Sequence, residues 1–267
     1  GANVNAITKS GTNEFSGSVY SFYRNDKLQG HKLGENKFDV AESFTRTMGV
    51  SIGGPIIKNR LFFFVNFEQE AASNPGDERK AARPGLEPDG LTVSRVPASE
   101  LDFVRQSMKD LYGYETGDYE GYAFANEGMR INARLDYNIN KNHKMSLRFN
   151  RFSSFRDTQI NGNSIRYLPS SLRYNKTNRY GIEAMTFQNA NYSVDNNVTS
   201  VVGEINSVFG TKFANNLNIG YTLVDDPIRS IPNGQDFPFI EVLDSIGSDP
   251  MYYFSLGNEL YSVGNLL

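Results

Sequence analysis

Apolar and polar residues alternate with a period of two in several short segments, the pattern of strands whose faces meet different surroundings. From Met129 to Ile139, Met129, Ile131, Ala133, Leu135, Tyr137 and Ile139 fall on one face, and Arg130, Asn132, Arg134, Asp136 and Asn138 on the other. After Asn140-Lys141-Asn142 the alternation resumes, with Met145, Leu147 and Phe149 apolar and Ser146, Arg148 and Asn150 polar, which predicts a hairpin. Pairing Ile139 with Met145 sets Asp136 opposite Arg148, whereas pairing Ile139 with His143 sets Arg134 opposite Arg148. Opposite charges across a ladder are favoured by up to about 1 kcal/mol, so the first register is expected.

A second hairpin joins Phe44–Ile52 to Leu61–Glu68. Phe44, Met48, Val50 and Ile52 alternate with Thr45, Thr47, Gly49 and Ser51, and Arg46 breaks the apolar face. Gly53-Gly54-Pro55 is expected to end the first of these strands, since proline donates no ladder hydrogen bond. A third hairpin pairs Val201, Ile205 and Phe209, through Gly210-Thr211-Lys212, with Phe213, Leu217, Ile219, Tyr221 and Leu223, and another strand runs from about Phe15 to Arg24. The short connections alternate with long ones, around 69–128 and 157–197. Compact soluble domains seldom carry such loops, whereas outer-membrane barrels have short turns on one rim and long loops on the other.

The stretch Asn74-Pro75-Gly76-Asp77-Glu78-Arg79-Lys80 reads as solvated, and one helix follows, with Ser99 as cap, Leu101, Val104, Met108 and Leu111 at helical spacing, and Gly113 as stop. The expected fold class is all-β: a partial antiparallel transmembrane β-barrel wall of about seven strands, with long extracellular loops and one short loop helix. A soluble sandwich would show the same alternation. Two features favour lipid: aromatics near strand ends (Phe15, Tyr23, Phe67, Tyr137, Phe209, Phe213) and Arg and Asp at mid-strand on the polar face. Met129, Ile131, Leu135, Leu147, Phe149, Leu217 and Ile219 should share one continuous lipid-facing side, opposite Arg134, Asp136 and Arg148.

Composition removes other classes. With no cysteine there is no disulfide, thiolate nucleophile or iron–sulfur site, and two histidines, His31 and His143, are too few for a histidine metal centre. A net charge of −3 gives no field for a nucleic acid. The longest apolar run, Leu61-Phe62-Phe63-Phe64-Val65, is far short of a spanning helix, and a mean hydropathy of −0.48 is compatible with barrel strands. No phosphate loop or catalytic motif is present, and Glu68 with Glu70, or Asp225 with Asp226, make poor acid–base pairs, so neither an enzyme nor a cofactor is expected. No export signal is visible at the start of the chain, which opens Gly1-Ala2-Asn3-Val4 like a fragment.

The opening Gly1-Ala2-Asn3-Val4-Asn5-Ala6-Ile7-Thr8-Lys9-Ser10-Gly11-Thr12-Asn13-Glu14-Phe15-Ser16-Gly17-Ser18 resembles the junction between plug and barrel of TonB-dependent outer-membrane receptors. Tyr23-Arg24-Asn25-Asp26 and Gly53-Gly54-Pro55-Ile56-Ile57-Lys58-Asn59-Arg60-Leu61-Phe62-Phe63-Phe64 resemble the Oar-like subgroup, whose members usually carry a carboxypeptidase-regulatory-like domain. Arg134-Leu135-Asp136-Tyr137-Asn138-Ile139-Asn140 and Lys212-Phe213-Ala214-Asn215-Asn216-Leu217 are similar to the family's next hairpins.

The resemblance implies that 1–13 end a plug domain and 14–267 begin a barrel of roughly 22 strands. It further implies an outer-membrane receptor that imports an extracellular ligand with energy from the TonB complex. A surface adhesion or structural protein, binding through loops such as Tyr112–Phe124 and Gln188–Asn197, is the alternative. Arg46, Glu68, Arg130, Arg134, Asp136, Arg148 and Glu204 are the candidates for a charged lumen or plug contact, or for structural ion pairs. Open sheet edges should keep the segment from inserting into a membrane by itself.

Overall fold

The computed structural model describes residues 8–30, 32–37, 41–162, 179–230, 234–244 and 252–259. Residues 1–7 of the expected plug segment, His31 and the middle of the 157–197 connection lie outside the described residues.

In chain order the elements are β1 (Ser16–Asn25), β2 (Lys32–Leu33), β3 (Asn36–Lys37), β4 (Phe44–Ile57), β5 (Leu61–Pro75), β6 (Lys80–Ala82), β7 (Val93–Pro97) and helix α1 (Ala98–Tyr112). They continue with β8 (Ala123–Asn138), β9 (His143–Thr158), β10 (Ala184–Thr186), β11 (Tyr192–Phe209), β12 (Phe213–Ser230), β13 (Ile240–Asp244) and β14 (Tyr252–Leu256). Seven long strands form one antiparallel sheet in the order β1-β4-β5-β8-β9-β11-β12, the partial barrel wall expected from the alternation. Among the described residues no helix is long and apolar enough to cross a membrane.

The β8–β9 register is the one the charge argument rejected: Arg134 faces Arg148 and Leu135 faces Leu147. The expected attraction is met sideways instead. Arg134 forks onto Asp136 two residues along its own strand, at 2.8 Å, and Arg148 pairs with Glu204 on β11, at 3.1 Å. The turn supplies the rest, because Asn140 Oδ1 accepts from the backbone N–H groups of Asn142 and His143 and fixes a tight reversal. Gly53-Gly54-Pro55 does not end a strand either. β4 runs on to Ile57, the pairing slips between Pro55 and Ile57 where no donor is needed, and the turn falls at Lys58–Arg60 with Asn59 at φ 62°.

Pairing carries one parity across the sheet. Met129, Ile131 and Leu135 on β8 share the face of Leu147 and Phe149 on β9, which lead through Gly203 and Val201 to Ile219 and Tyr221 on β12, with Leu217 next to Ile205. Arg134, Asp136 and Arg148 occupy the other face, as expected. On the apolar face Leu147 is 42% exposed, Leu217 46% and Ile219 67%. Of the buried hydrophobic residues described, the seven wall strands supply Ala72 and no other. A sandwich would bury this face against a second sheet. Here it is bare, as lipid contact requires.

The described core lies in the connections. Ala81, Val96, Ala98, Leu101, Tyr119, Met185, Phe187, Phe254 and Leu256 form one buried cluster, drawn from three segments far apart in sequence. A parallel pair β6–β7, a small sheet β10-β14-β13 and α1 frame it. The long connections thus fold together into a cap beyond the wall. α1 begins at Ala98 with Pro97 at its N-cap and no side-chain cap, so Ser99 lies inside the first turn. It stops at Gly113 in the left-handed conformation, where a side chain would be strained. Leu101 is fully buried, whereas Leu111, expected on the same stripe, is 72% exposed.

Candidate functional site: the polar face of the wall

Six of the seven charged candidates share the polar face and resolve into three ion pairs: Glu68 with Arg130, Arg134 with Asp136, and Arg148 with Glu204. Arg46 is the exception. Even positions of β4 from Phe44 to Ile52 keep the parity of Val50, so Arg46, paired with Tyr23 and Ala71, stands exposed on the apolar face. The break that it makes in the apolar pattern is therefore real, and it is not a displaced polar-face residue.

Glu68 anchors a chain of contacts across five strands. The Tyr20 hydroxyl donates to Glu68, Arg130 donates to its other oxygen, and the Arg130 guanidinium lies 5.4 Å from the centre of the Phe152 ring. Tyr20 reaches Glu68 by lying across Gly49, where any Cβ would collide with its ring. Further down, Glu204 accepts from Asn206 at 2.8 Å and from Asn216 at 3.1 Å. These six charges are thereby paired within the wall.

Between the charged rows runs a neutral one. Ser18, Ser51, Asn66, Asn132, Asn150, Ser200 and Thr222 occupy a single register across all seven strands. Ser18 bonds Ser51 at 2.8 Å and Ser200 bonds Thr222 at 3.0 Å. With Thr8, Lys9, Tyr20, Phe64, Arg134 and Arg148, five of these residues line a cavity of about 380 Å³. One wall of that cavity is main chain: Arg134 donates to the Thr8 carbonyl at 3.1 Å and to its hydroxyl at 2.9 Å. Asn13 and Asn59 exchange two hydrogen bonds and hold the same segment against the lower turn. The polar complement of each strand was legible, but the row needed the register, and the Thr8 contact has no local sequence signal.

The cap holds the second cluster that sequence reading missed. Asp77 and Arg79, expected to be solvated, are buried and paired. Arg79 also donates to the carbonyls of Arg179 and Gly181, while Arg179 donates to Glu241 at 2.6 Å and lies 4.9 Å over the Phe239 ring. Three connections are tied by two arginines. Cavities of about 520 and 1000 Å³ flank the Asp77–Arg79 segment. Burial pushes the Tyr114 phenol up to about 12 and the Tyr122 phenol higher still, and backbone N–H groups of Val93, Leu91 and Thr92, with the Thr92 hydroxyl, hold Asp89 well below the usual carboxylate range.

Parts of the aromatic and Asn-rich loops pack internally, although Tyr112 is 65% exposed. Tyr114, Tyr119 and Tyr122 are buried, and the Asn191 side chain bonds Ile160 N, Gln188 O and Tyr122 Oη. Among the described residues no group of three metal-ligating side chains exists.

The sequence pattern of an outer membrane beta barrel domain matches residues 7–254. The chain is 27% identical over 160 residues to the TonB-dependent transporter Oar of Myxococcus xanthus, an alignment covering 56% of this chain and 14% of that protein. No solved structure matches it.

Proposed function

The chain belongs to the outer membrane beta barrel domain family and hence to the bacterial outer membrane, and from that premise we propose that it is part of the wall of a TonB-dependent receptor of the Oar-like type. In this reading the intact protein binds an extracellular ligand and admits it using energy from the inner membrane. The observation that carries it is the 160-residue similarity to a TonB-dependent transporter, together with a sheet that is bare and apolar on one side and hydrogen-bonded on the other. The apolar face meets lipid, the polar face lines the lumen, and a carboxypeptidase-regulatory-like domain precedes the plug. No catalytic step belongs to this reading.

The polar face suits a lining for a plug. Six of its charges are paired within the wall, the row between them offers neutral amides and hydroxyls, and Arg134 already holds a main-chain carbonyl at Thr8. The cap gives a preformed outer surface built from three connections.

The test uses the full-length protein, extended to its natural start. Purified in detergent, it should form a complex with the periplasmic domain of TonB from the same bacterium, and deletion of its N-terminal TonB box should abolish that complex. A full-length protein that carries no such box and shows no complex would contradict the transporter reading and leave an adhesive or structural barrel.

A further inference from the structure

The outward face of a barrel wall should be apolar through the hydrocarbon and polar only where headgroups begin. Upward from the short turns, the apolar residues of this face give way to Arg46, Gln69, Glu127, Arg151, Ser153, Asn197 and Asp225. Two of these are guanidiniums, and among the described residues neither Arg46 nor Arg151 has a hydrogen bond, ion pair or ring contact. The nearer of the two outward acids in the register row of Arg46, Glu127, is two strands away, about 10 Å at ordinary strand spacing, and Asp195 is farther.

Depth says what can satisfy them. Arg46 lies eleven residues up β4 from Ile57, and Arg151 eight residues up β9 from His143. At about 3.3 Å per residue and a tilt of about 40°, these positions stand about 28 Å and about 20 Å above the lower rim, against an apolar band about 25 Å tall. Arg46 is then level with the headgroups. Arg151 lies just beneath them and reaches up by its long stem, as arginines near a membrane boundary do. An unpaired guanidinium at that level is matched by the fork of phosphate oxygens.

We infer that Arg46 and Arg151 are binding sites for the phosphate groups of outer-leaflet lipids, fixing the height of the wall in the membrane and recruiting anionic lipid to its surface. Tyr23, Phe44 and Met48 flank Arg46, and Phe149 and Ile131 flank Arg151, so each guanidinium rises from an apolar surround that seats the acyl chains below it. This rests on the face assignment proposed above, and it is independent of whether the protein transports.

The experiment takes the full-length barrel in mild detergent, titrates it with dioleoylphosphatidylglycerol and counts bound lipid by native mass spectrometry. Arg46→Gln and Arg151→Gln should each weaken lipid binding about fivefold, the double change more, and the Arg→Lys versions should keep most of it. Arg→Lys also preserves the test if the glutamine variants fail to fold. Unchanged lipid binding in the double glutamine variant would overturn the inference. Displacement of the lipid by inorganic phosphate would also overturn it, by showing a free-phosphate site. Leu147→Cys carrying a fluorophore and exposed to brominated lipid tails separates the premise: quenching supports the face assignment, and its absence removes the assignment itself.

Discussion

Tyr20, Gly49 and Glu68 show how one missing side chain sets a cross-strand contact. Gly49→Ala should drive the Tyr20 ring off Glu68 and destabilise the full-length barrel by about 1–3 kcal/mol in urea unfolding. Tyr20→Ser should make the same alanine nearly harmless, and equal losses in both backgrounds would show that the ring does not lie there. Titration gives another prediction. Tyr114 is raised to about 12 in the folded cap against about 10 unfolded, so the folded form keeps its proton longer. Its contribution is complete below pH 10 and is lost as pH rises towards 12, so amide exchange in the cap should quicken over that range. Residue types and faces were largely readable from the sequence at this scale. Arg46 shows the limit: it was grouped with the lumen by charge, although parity along β4 had already placed it outside.

Among the elements, strand existence was legible because each strand carries its own period-two signal, whereas register was not. The β8–β9 pairing depends on partners outside the hairpin: Arg148 can face Arg134 because Glu204 on β11 neutralises it. The chain has no cysteine, so the register can be tested directly. Leu135→Cys with Leu147→Cys should cross-link under mild oxidation, and Asp136→Cys with Arg148→Cys should not; the reverse would restore the register that charge alone favoured. The cap was illegible for a related reason. Its core joins 81–119, 185–187 and 254–256, of which the helix alone displays a period, and its Asp77–Arg79 pair reads locally as a solvated turn. Removing one partner of a buried pair costs about 3–5 kcal/mol, so Arg79→Ala should open the cap to protease while the wall keeps its heat-modifiable mobility. Cleavage no faster than in the unmodified protein would mean that the hydrophobic cluster holds the cap without the clamp.

At the scale of the whole molecule, the sheet among the described residues leaves β1 and β12 as open edges, and unpaired backbone in hydrocarbon is too costly to persist. Expressed alone, residues 1–267 should fail to insert into lipid vesicles, and the same residues within the full-length protein should be inserted. The central claim is that one wall divides lipid from lumen, and β8 tests it most directly. Single cysteines at each position from Met129 to Asn138 in the full-length protein, embedded in outer membranes, are probed with a water-soluble thiol reagent and with brominated lipid. Alternation with a period of two is predicted, with 129, 131, 133, 135 and 137 quenched by lipid and 130, 132, 134, 136 and 138 reached from water. Equal access from water on both faces would contradict the membrane wall.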